Sequence, residues 1–377
     1  MEKTLLLSLL LSLCFLHAAL GANAQPGTPS FWKSRLADVL DVLGNASKGQ
    51  VMPIGESWGR RPLLAVSYGK ADHYKRSANF GAAAYARHPE AFCKRDPGAK
   101  PVLMILGPVH GGEMEGVAGC LNLVKVLETG TDFRGKAWPG ITNNAARLRV
   151  VILPLANPDG RERLPFDSYM GKTAEFMHQY SQGTHKDGSA WGWPAMAERH
   201  PMVGDVGFLG ACFNDGGVNV YNDCFFSPMA PETRAIFDLA IKEAPDFIVN
   251  VHSHEMPAEL LRTYMVPPAL VEWTGKVQAM YAERMKQRGL PFTPPRETMS
   301  GAFELVDALY HATGAVSMVF EGPEGIVGEA EKPIDFDTIL DSHLALYEML
   351  FELGASEGGF MGKKDAVRGN WLPPMDY

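Results

Sequence analysis

Four short apolar segments, separated by amphipathic stretches, constrain the fold of this chain most strongly. Each segment is rich in branched residues and is apolar on both alternating faces, a pattern typical of central strands that are covered on both sides. The predicted strands are Val102–Leu106, Val150–Leu155, Phe247–Val251 and Ala315–Phe320, and the predicted helices are Met114–Leu127, Pro231–Glu243, Trp273–Arg288 and Ile339–Leu353. Strands that alternate with helices in this way indicate an α/β protein.

The first 24 residues have the layout of a secretory signal peptide. Lys3 supplies a positive charge, Leu5–Leu20 is apolar, and Ala22-Asn23-Ala24 forms a small-residue cleavage site before Gln25. An uncleaved anchor is the alternative, but the apolar run is too short for a typical transmembrane helix. We therefore expect cleavage after Ala24, a secreted or periplasmic location, no stable membrane insertion, and a single domain over residues 25–377.

Charge and cysteine content exclude several classes of function. The net charge is −8 and no dense basic cluster exists, which argues against nucleic acid as a partner. No C-x-x-C pair is present, so a cysteine zinc or redox site is not supported. Two disulfides and buried free thiols both remain open for the cysteines beyond the signal, which are Cys93, Cys120, Cys212 and Cys224. The sequence does not indicate an oligomeric state.

Two parts of the chain lack clear periodicity. Residues 160–213 are rich in Gly, His, Met and Trp, and we interpret them as a long insertion. Insertions of this length in a compact domain are usually functional or poorly ordered. Residues 355–377 form an irregular tail.

Polar residues follow each predicted strand. His110 and Glu113 come after the first strand, the turn 157–160 after the second, His252 after the third and Glu321 after the fourth. Because ligands bind at the carboxyl ends of strands in open α/β sheets, we expect these residues to lie along one edge of one sheet.

Two histidines and one carboxylate match the ligand set of a catalytic zinc ion, which leaves a fourth position for water. Gly111 and Gly112 let the backbone turn so that His110 and Glu113 can face one ion, and His252 supplies the third ligand. Zinc lowers the pKa of bound water to about 7, so a neighbouring carboxylate can act as general base. Glu321 fits that role.

The H-x-x-E spacing alone is a weak signal, because it also occurs at His252–Glu255. The strand–glycine–helix context favours His110–Glu113 as the ligand pair. We expect His254 and Glu255 to lie at the surface or behind the ligands.

Together these residues resemble the zinc metallocarboxypeptidases of the carboxypeptidase A/B type, from about Pro53 to Gly354. The resemblance implies a mixed, largely parallel central sheet flanked by helices on both faces, bound zinc, and hydrolysis of peptide bonds. The motifs that carry it are Ser57-Trp58-Gly59-Arg60-Arg61-Pro62, His110-Gly111-Gly112-Glu113, Asn157-Pro158-Asp159-Gly160, Pro231-Glu232-Thr233-Arg234-Ala235, His252-Ser253 and Phe320-Glu321.

The sequence departs from the family where the substrate's terminal carboxylate binds. The family's Asn-Arg pair is replaced by Tyr221-Asn222, and its supporting Asp by Asn219. A neutral Asn cannot bind a carboxylate through two charged hydrogen bonds, as the guanidinium of an Arg does. The family's substrate-loop Tyr is not evident, and Met299 lies near its place. Candidates for an oxyanion Arg are Arg161, Arg163 and Arg199, and candidates for a substitute carboxylate clamp are Arg262 and Arg296.

The resemblance also bears on the substrate. Asp307 and Tyr310 are similar to the end of the family's substrate loop, and Val306 would then line an apolar specificity pocket. Since the hydrolytic set is complete, we expect a zinc metallocarboxypeptidase acting on peptides. A zinc amidohydrolase or deacylase acting on acyl-amino acids or cell-wall peptides, and a non-catalytic binding module that kept the fold, remain alternatives.

Overall fold

The computed structural model describes residues 27–71, 74–223, 227, 229–295, 302–328 and 334–363. The expected signal peptide, Cys224, Arg296 and Met299 lie outside these residues. Within them, no helix is both long and apolar enough to cross a membrane.

A mixed sheet forms the centre of the described chain. Its strands are β1 (Gln50–Glu56), β2 (Pro62–Tyr68), β5 (Val102–Leu106), β6 (Arg149–Leu153), β7 (Phe247–His254), β8 (Glu259–Arg262) and β9 (Val316–Pro323), while β3 (Tyr74–Lys75) and β4 (Lys94–Arg95) form a separate pair. The spatial order is β1-β2-β6-β5-β7-β9-β8. The central strands β6, β5, β7 and β9 are parallel, and β2 and β8 join them as antiparallel neighbours.

The predicted strands are confirmed, with differences at their ends. β5 has the predicted bounds, whereas β7 and β9 continue three residues beyond the predicted ends. His252 and Glu321 therefore lie inside strands rather than after them. The parallel ladder continues to the pair His254↔Pro323 because polar side chains at alternate positions can face the open crevice while the backbone stays paired.

Helices cover both faces of the sheet, as expected. The helices are α1 (Leu36–Gly44), α2 (Phe80–Tyr85), α3 (Met114–Thr129), α4 (Pro139–Thr142), α5 (Pro158–Glu162), α6 (Ala174–Ser181), α7 (Pro231–Glu243), α8 (Pro268–Gln287), α9 (Leu305–Thr313) and α10 (Phe336–Ala355), with 3₁₀ turns at Pro89–Ala91, Ala145–Arg147 and Ala195–Glu198. α7 has the predicted bounds, and α3, α8 and α10 are longer than predicted.

Side chains that alternate along β5 pack against the helix layers on opposite faces of the sheet. Leu103 and Ile105 pack with α3, α8 and α10, whereas Met104 and Leu106 pack with α7 and α9. All four side chains are fully buried, which confirms strands covered on both faces.

Residues 160–213 contain α6 and contribute most members of two hydrophobic clusters. In one cluster Tyr169 and Met177 pack against Met114 at the start of α3. This packing holds the segment over the beginning of α3.

In residues 355–363, beyond α10, Phe360 is buried against Phe247.

The described cysteines are not joined by disulfides. Cys93, Cys120 and Cys212 are free and buried. Cys212 lies 3.4 Å from the hydroxyl oxygen of Ser181. The alternative of buried free thiols is therefore the one the structure shows for these three residues.

Candidate metal centre

Three predicted ligands meet at the carboxyl edge of the sheet. His110 lies in the loop between β5 and α3, Glu113 is the N-cap residue of α3, and His252 lies on β7. Potential ligand atoms of the three side chains all lie within 4.8 Å of one another, and all three residues are buried. Residues that are 142 positions apart in sequence are thus brought to one point by adjacent parallel strands.

Gly111 is required by close backbone approach rather than by a left-handed turn. A Cβ at this position would lie 2.1 Å from the backbone nitrogen of Arg161, and its own N–H donates to the carbonyl of Ala211 at 2.8 Å. Neither Gly111 nor Gly112 has a positive φ. The expected tight turn is present, because the N–H of Glu113 donates to the carbonyl of His110 at 3.2 Å. The lack of a side chain at Gly111 also lets the backbone of Arg161 pack against the turn.

Asn219 fixes the orientation of His110. Its Oδ1 accepts from the backbone N–H of Tyr221 at 3.0 Å, which sets the orientation of the amide group. The same oxygen lies 3.2 Å from Nε2 of His110, so Nε2 must be the donor. Nε2 therefore carries a proton, and Nδ1 is the nitrogen that faces Glu113 and can bind a metal.

Asn250 does the same for His252. Its Nδ2 donates to the carbonyl of Leu106 at 3.3 Å, which turns Oδ1 toward the imidazole. Nε2 of His252 donates to that oxygen at 2.8 Å, which again leaves Nδ1 as a lone-pair donor for a metal. Sequence reasoning missed Asn250, although its position two residues before His252 puts it on the same face of β7.

The donor set fits a cation. Nδ1 of His110 lies 2.7 Å from Oε1 of Glu113, and Nδ1 of His252 lies 3.1 Å from Oε2, which has no hydrogen-bond donor. Burial by itself raises the pKa of Glu113, but the two imidazoles outweigh it and hold the pKa at about 2. Two imidazole nitrogens and an ionised carboxylate thus converge on one point, where a divalent cation would take the place of protons on Nδ1.

Glu321 lies directly beside the ligands. It pairs with His252 across β7 and β9 and with Glu259 across β9 and β8. Burial raises its pKa to about 8; His252 opposes this rise, and Glu113, Glu259 and Glu255 add to it. The structure therefore places the residue predicted as general base next to the metal group.

Tyr221 and Asn222 also lie near the group, whereas Val306 does not face it. The Tyr221 ring is 4.9 Å from the His252 ring and 5.7 Å from the His110 ring. Asn222 accepts from Nδ2 of Asn219 at 3.0 Å. Val306 is only 1% exposed and packs in the core between the sheet, α7 and α9. The prediction that it lines an open specificity pocket is therefore wrong.

The three arginines considered for an oxyanion role are engaged elsewhere. Arg161 is buried and donates to the carbonyls of Ser34 and Phe166 and to Asp167. Arg163 binds Asp215 and two carbonyl oxygens, and Arg199 donates to a carbonyl and stacks on Trp191.

Arg262 lies on the other face of the sheet. It pairs with Met318 of β9, which packs with α8, whereas Glu321 faces the opposite side. Its guanidinium lies 3.0 Å from a Cβ built at Gly275 of α8. The structure therefore does not support Arg262 as the substitute carboxylate clamp.

Several of the remaining motifs are structural. Asp159 is buried and accepts hydrogen bonds from Ser57, Gly59 and Arg61 at 2.5–2.7 Å. Glu232 accepts from the backbone of Trp58 at 2.9 Å. These bonds join the segment before β2 to the 157–160 turn and to α7.

His254 behaves as expected for a residue outside the ligand set. Its Nε2 contacts the carbonyl of Pro257 at 3.1 Å.

Behind the metal group lie two buried acids that the sequence did not reveal. Burial and the charge of Glu113 raise the pKa of Glu115 to about 8. Burial and the charges of Glu115 and Glu113 raise the pKa of Glu324.

The comparisons agree with this geometry. A family model described as zinc carboxypeptidase matches residues 40–181, which include His110 and Glu113. Among proteins of curated function, none matches the sequence significantly.

Solved structures share the fold at low sequence identity. A metallo-carboxypeptidase from Burkholderia cenocepacia has a TM-score of 0.55 and 16% identity, over 84% of this chain and 68% of that one. A metallo-carboxypeptidase from Pseudomonas aeruginosa, in complex with (2-guanidinoethylmercapto)succinic acid, has a TM-score of 0.51 and 12% identity, over 84% of this chain and 66% of that one. Thrombin activatable fibrinolysis inhibitor has a TM-score of 0.53 and 15% identity, over 89% of this chain and 79% of that one. At these identities the similarity shows the fold alone. The family match over residues 40–181, the shared fold and the His-Glu-His group together make the chain similar to the zinc carboxypeptidases.

Proposed function

We propose that this protein hydrolyses peptide bonds, or closely related amide bonds, with a zinc ion held by His110, Glu113 and His252 and with Glu321 as general base. The observation that carries the proposal is the convergence of two imidazole nitrogens and one ionised carboxylate, beside a second carboxyl. Of the reactions that a zinc site supports, this combination suits attack of water on a carbonyl.

The chain's own residues supply the proton transfers. When bound, zinc would supply a Lewis acid and would lower the pKa of water. Glu321 takes a proton from the attacking water on its carboxylate and delivers it to the leaving nitrogen. Asn219 and Asn250 keep both histidines in the ligating tautomer throughout.

The complete ligand set supports an enzyme over a non-catalytic module. A module that had lost its chemistry would have no need to keep two amide groups aligned behind the ligands. No contact of the described residues favours a deacylase over a peptidase, and the family match is to carboxypeptidases.

We also propose export of the protein, with cleavage after Ala24. The support is the signal-like pattern of residues 1–24. N-terminal sequencing of protein recovered from an exporting host should give Gln25 as the first residue. An intact N-terminus on the recovered protein would contradict cleavage.

Hydrolysis is tested with zinc-loaded wild-type protein and Glu321→Gln, each incubated with a library of blocked tripeptides and acyl-amino acids. Mass spectrometry identifies the products. We expect cleavage of peptide bonds by the wild type alone. Cleavage by both proteins, or by neither when zinc is bound, would contradict the proposed function.

A further inference from the structure

We infer that a hard divalent cation, calcium or magnesium, binds behind the metal group, between the start of α3 and the end of β9. The proposed ligands are the carboxylates of Glu115 and Glu324 and the hydroxyls of Ser253 and Tyr169. This site is separate from the zinc ligands, and the inference does not depend on the proposed hydrolysis.

Several buried oxygen atoms at this place have no hydrogen-bond partner among the residues that the structure describes. They are both carboxylate oxygens of Glu115, Oε2 of Glu324, Oγ of Ser253 and the hydroxyl oxygen of Tyr169. The four residues are between 0% and 6% exposed, so bulk water does not satisfy these atoms. Because a buried polar atom without a partner costs free energy, a cluster of such atoms indicates a bound group.

Glu115 and Ser253 face each other between α3 and β7. Glu115 is the second residue of α3. Ser253 lies on the same face of β7 as Val251, which comes within 2.9 Å of a Cβ built at Gly116 of α3. Burial raises the pKa of Glu115, and the hydroxyl of Ser253 opposes this rise, so the two side chains are close together.

Glu324 and Tyr169 reach the same place from two other segments. The backbone N–H of Glu324 donates to the carbonyl of His254 at 3.0 Å, which holds Glu324 against the end of β7. The hydroxyl of Tyr169, in the insertion, lies 3.1 Å from a Cβ built at Gly112, just before α3. Burial raises the pKa of Tyr169 and the charge of Glu324 raises it further, so this hydroxyl lies near the Glu324 carboxyl.

The charges that act on the two acids are mostly negative. Burial raises the pKa of Glu324, and the largest charge effects on it come from other acids, which are Glu115, Glu113, Glu255 and Glu321. Arg161 acts on Glu115, but its guanidinium donates to carbonyl oxygens and to Asp167. In the described chain the two carboxylates are therefore not balanced by a base that contacts them, and a divalent cation would supply two positive charges.

The donor atoms select the type of ion. All of the proposed ligands are oxygen atoms, which calcium and magnesium prefer, whereas the zinc group contains two imidazoles. Calcium takes about 6–8 oxygen ligands and magnesium keeps several waters, so bound water would complete the coordination.

An ion at this place would link the segments that carry the zinc ligands. Glu115 follows Glu113 by two residues, and Ser253 follows His252 directly. Tyr169 would join the insertion to both segments. The ion would therefore stabilise the arrangement of the metal group and would not take part in chemistry.

Ion content tests the inference directly. Zinc-loaded wild-type protein is incubated with calcium and magnesium, passed through gel filtration in metal-free buffer and measured by elemental analysis, which distinguishes the two ions. We expect about one calcium or magnesium ion per chain in addition to zinc. Zinc alone would overturn the inference and would point to protonated carboxyls that bind buried water.

A variant assigns the ion to these acids. Glu324→Gln should lose the calcium or magnesium ion and keep zinc, because the amide carries no negative charge. Glu232→Gln is the matched control, because Glu232 is also buried with a raised pKa but accepts from the backbone of Trp58. The control should keep both ions. Retention of the second ion in Glu324→Gln would overturn the assignment.

Thermal unfolding of the wild type covers the case in which the variant does not fold. Protein treated with a chelator and reloaded with zinc is heated with and without added calcium or magnesium. We expect one of the two ions to raise Tm by at least about 3 °C, because an ion that binds only the folded state stabilises it. An unchanged Tm with both ions would overturn the inference.

Discussion

His252 and Glu321 are directly paired across the parallel strands β7 and β9. Because paired residues on neighbouring strands point to the same face, the proposed ligand and the proposed base project side by side into the crevice. Both are held by strand backbone rather than by a mobile loop. Sites built on strands hold catalytic geometry more tightly than sites built on loops.

Replacing the proposed base should separate catalysis from metal binding. We expect Glu321→Gln to keep its zinc and to lose about 10²- to 10⁴-fold in kcat/KM, because the amide cannot take the proton from water. Kinetics and elemental analysis on the same preparation check this. Full activity in the variant would exclude Glu321 as the base.

Zinc binding should release a proton from Glu321. In the metal-free protein its pKa is raised to about 8 by burial and by neighbouring carboxylates, so the group is protonated at pH 7. A bound cation favours the charged form and lowers that pKa, so zinc binding expels the proton and becomes tighter as pH rises toward 8. Calorimetry in buffers of different ionisation enthalpy should show about one proton fewer released by Glu321→Gln. Equal proton release from both proteins would contradict the linkage.

The amide behind His252 should contribute to metal affinity. Asn250→Leu removes the acceptor that holds Nε2, so we expect about 10- to 100-fold weaker zinc binding. Asn122→Leu is the control, because Asn122 is equally buried and hydrogen-bonded but lies in the middle of α3. Competition with a chelator measures both affinities. The same loss in both variants would point to a general effect on stability.

The close approach at Gly111 should make this position intolerant of a side chain. We expect Gly111→Ala to lower the free energy of unfolding by about 1–3 kcal/mol, because its Cβ would meet the backbone of Arg161. Gly81→Ala is the control: it lies in α2 with only a 3.6 Å contact to Asn79, and should be neutral or stabilising by about 0.5–1 kcal/mol. Urea denaturation measures both, and equal stability of the two variants would contradict the contact.

The buried parts of the fold could be predicted from the sequence. The bounds of β5 and α7 match, because an uninterrupted apolar run and a Pro-Glu helix start are strong local signals. The ligands could be predicted because they lie at or just beyond the carboxyl ends of such strands. Their arrangement requires only that parallel strands end at a common edge.

The rest depends on contacts that are distant in sequence. β8 was missed because it is a short edge strand that is only half-buried. The role of Asn250 could not be predicted, because its orientation depends on a hydrogen bond to the carbonyl of Leu106, which is distant in sequence. Val306 was assigned to the pocket by alignment alone, and the structure buries it in the core. The role of Gly111 depends on Arg161, which approaches only when the insertion folds over the loop.

The most direct test of the account is the metal content of purified wild-type protein beside His252→Ala, by elemental analysis. His88→Ala is the control, because the His88 side chain is exposed and is not part of the metal group. We predict about one zinc ion per chain in the wild type and in the control, and its loss in His252→Ala. No zinc in the wild type after metal is added back, or full zinc retained in His252→Ala, would contradict the proposed metal centre.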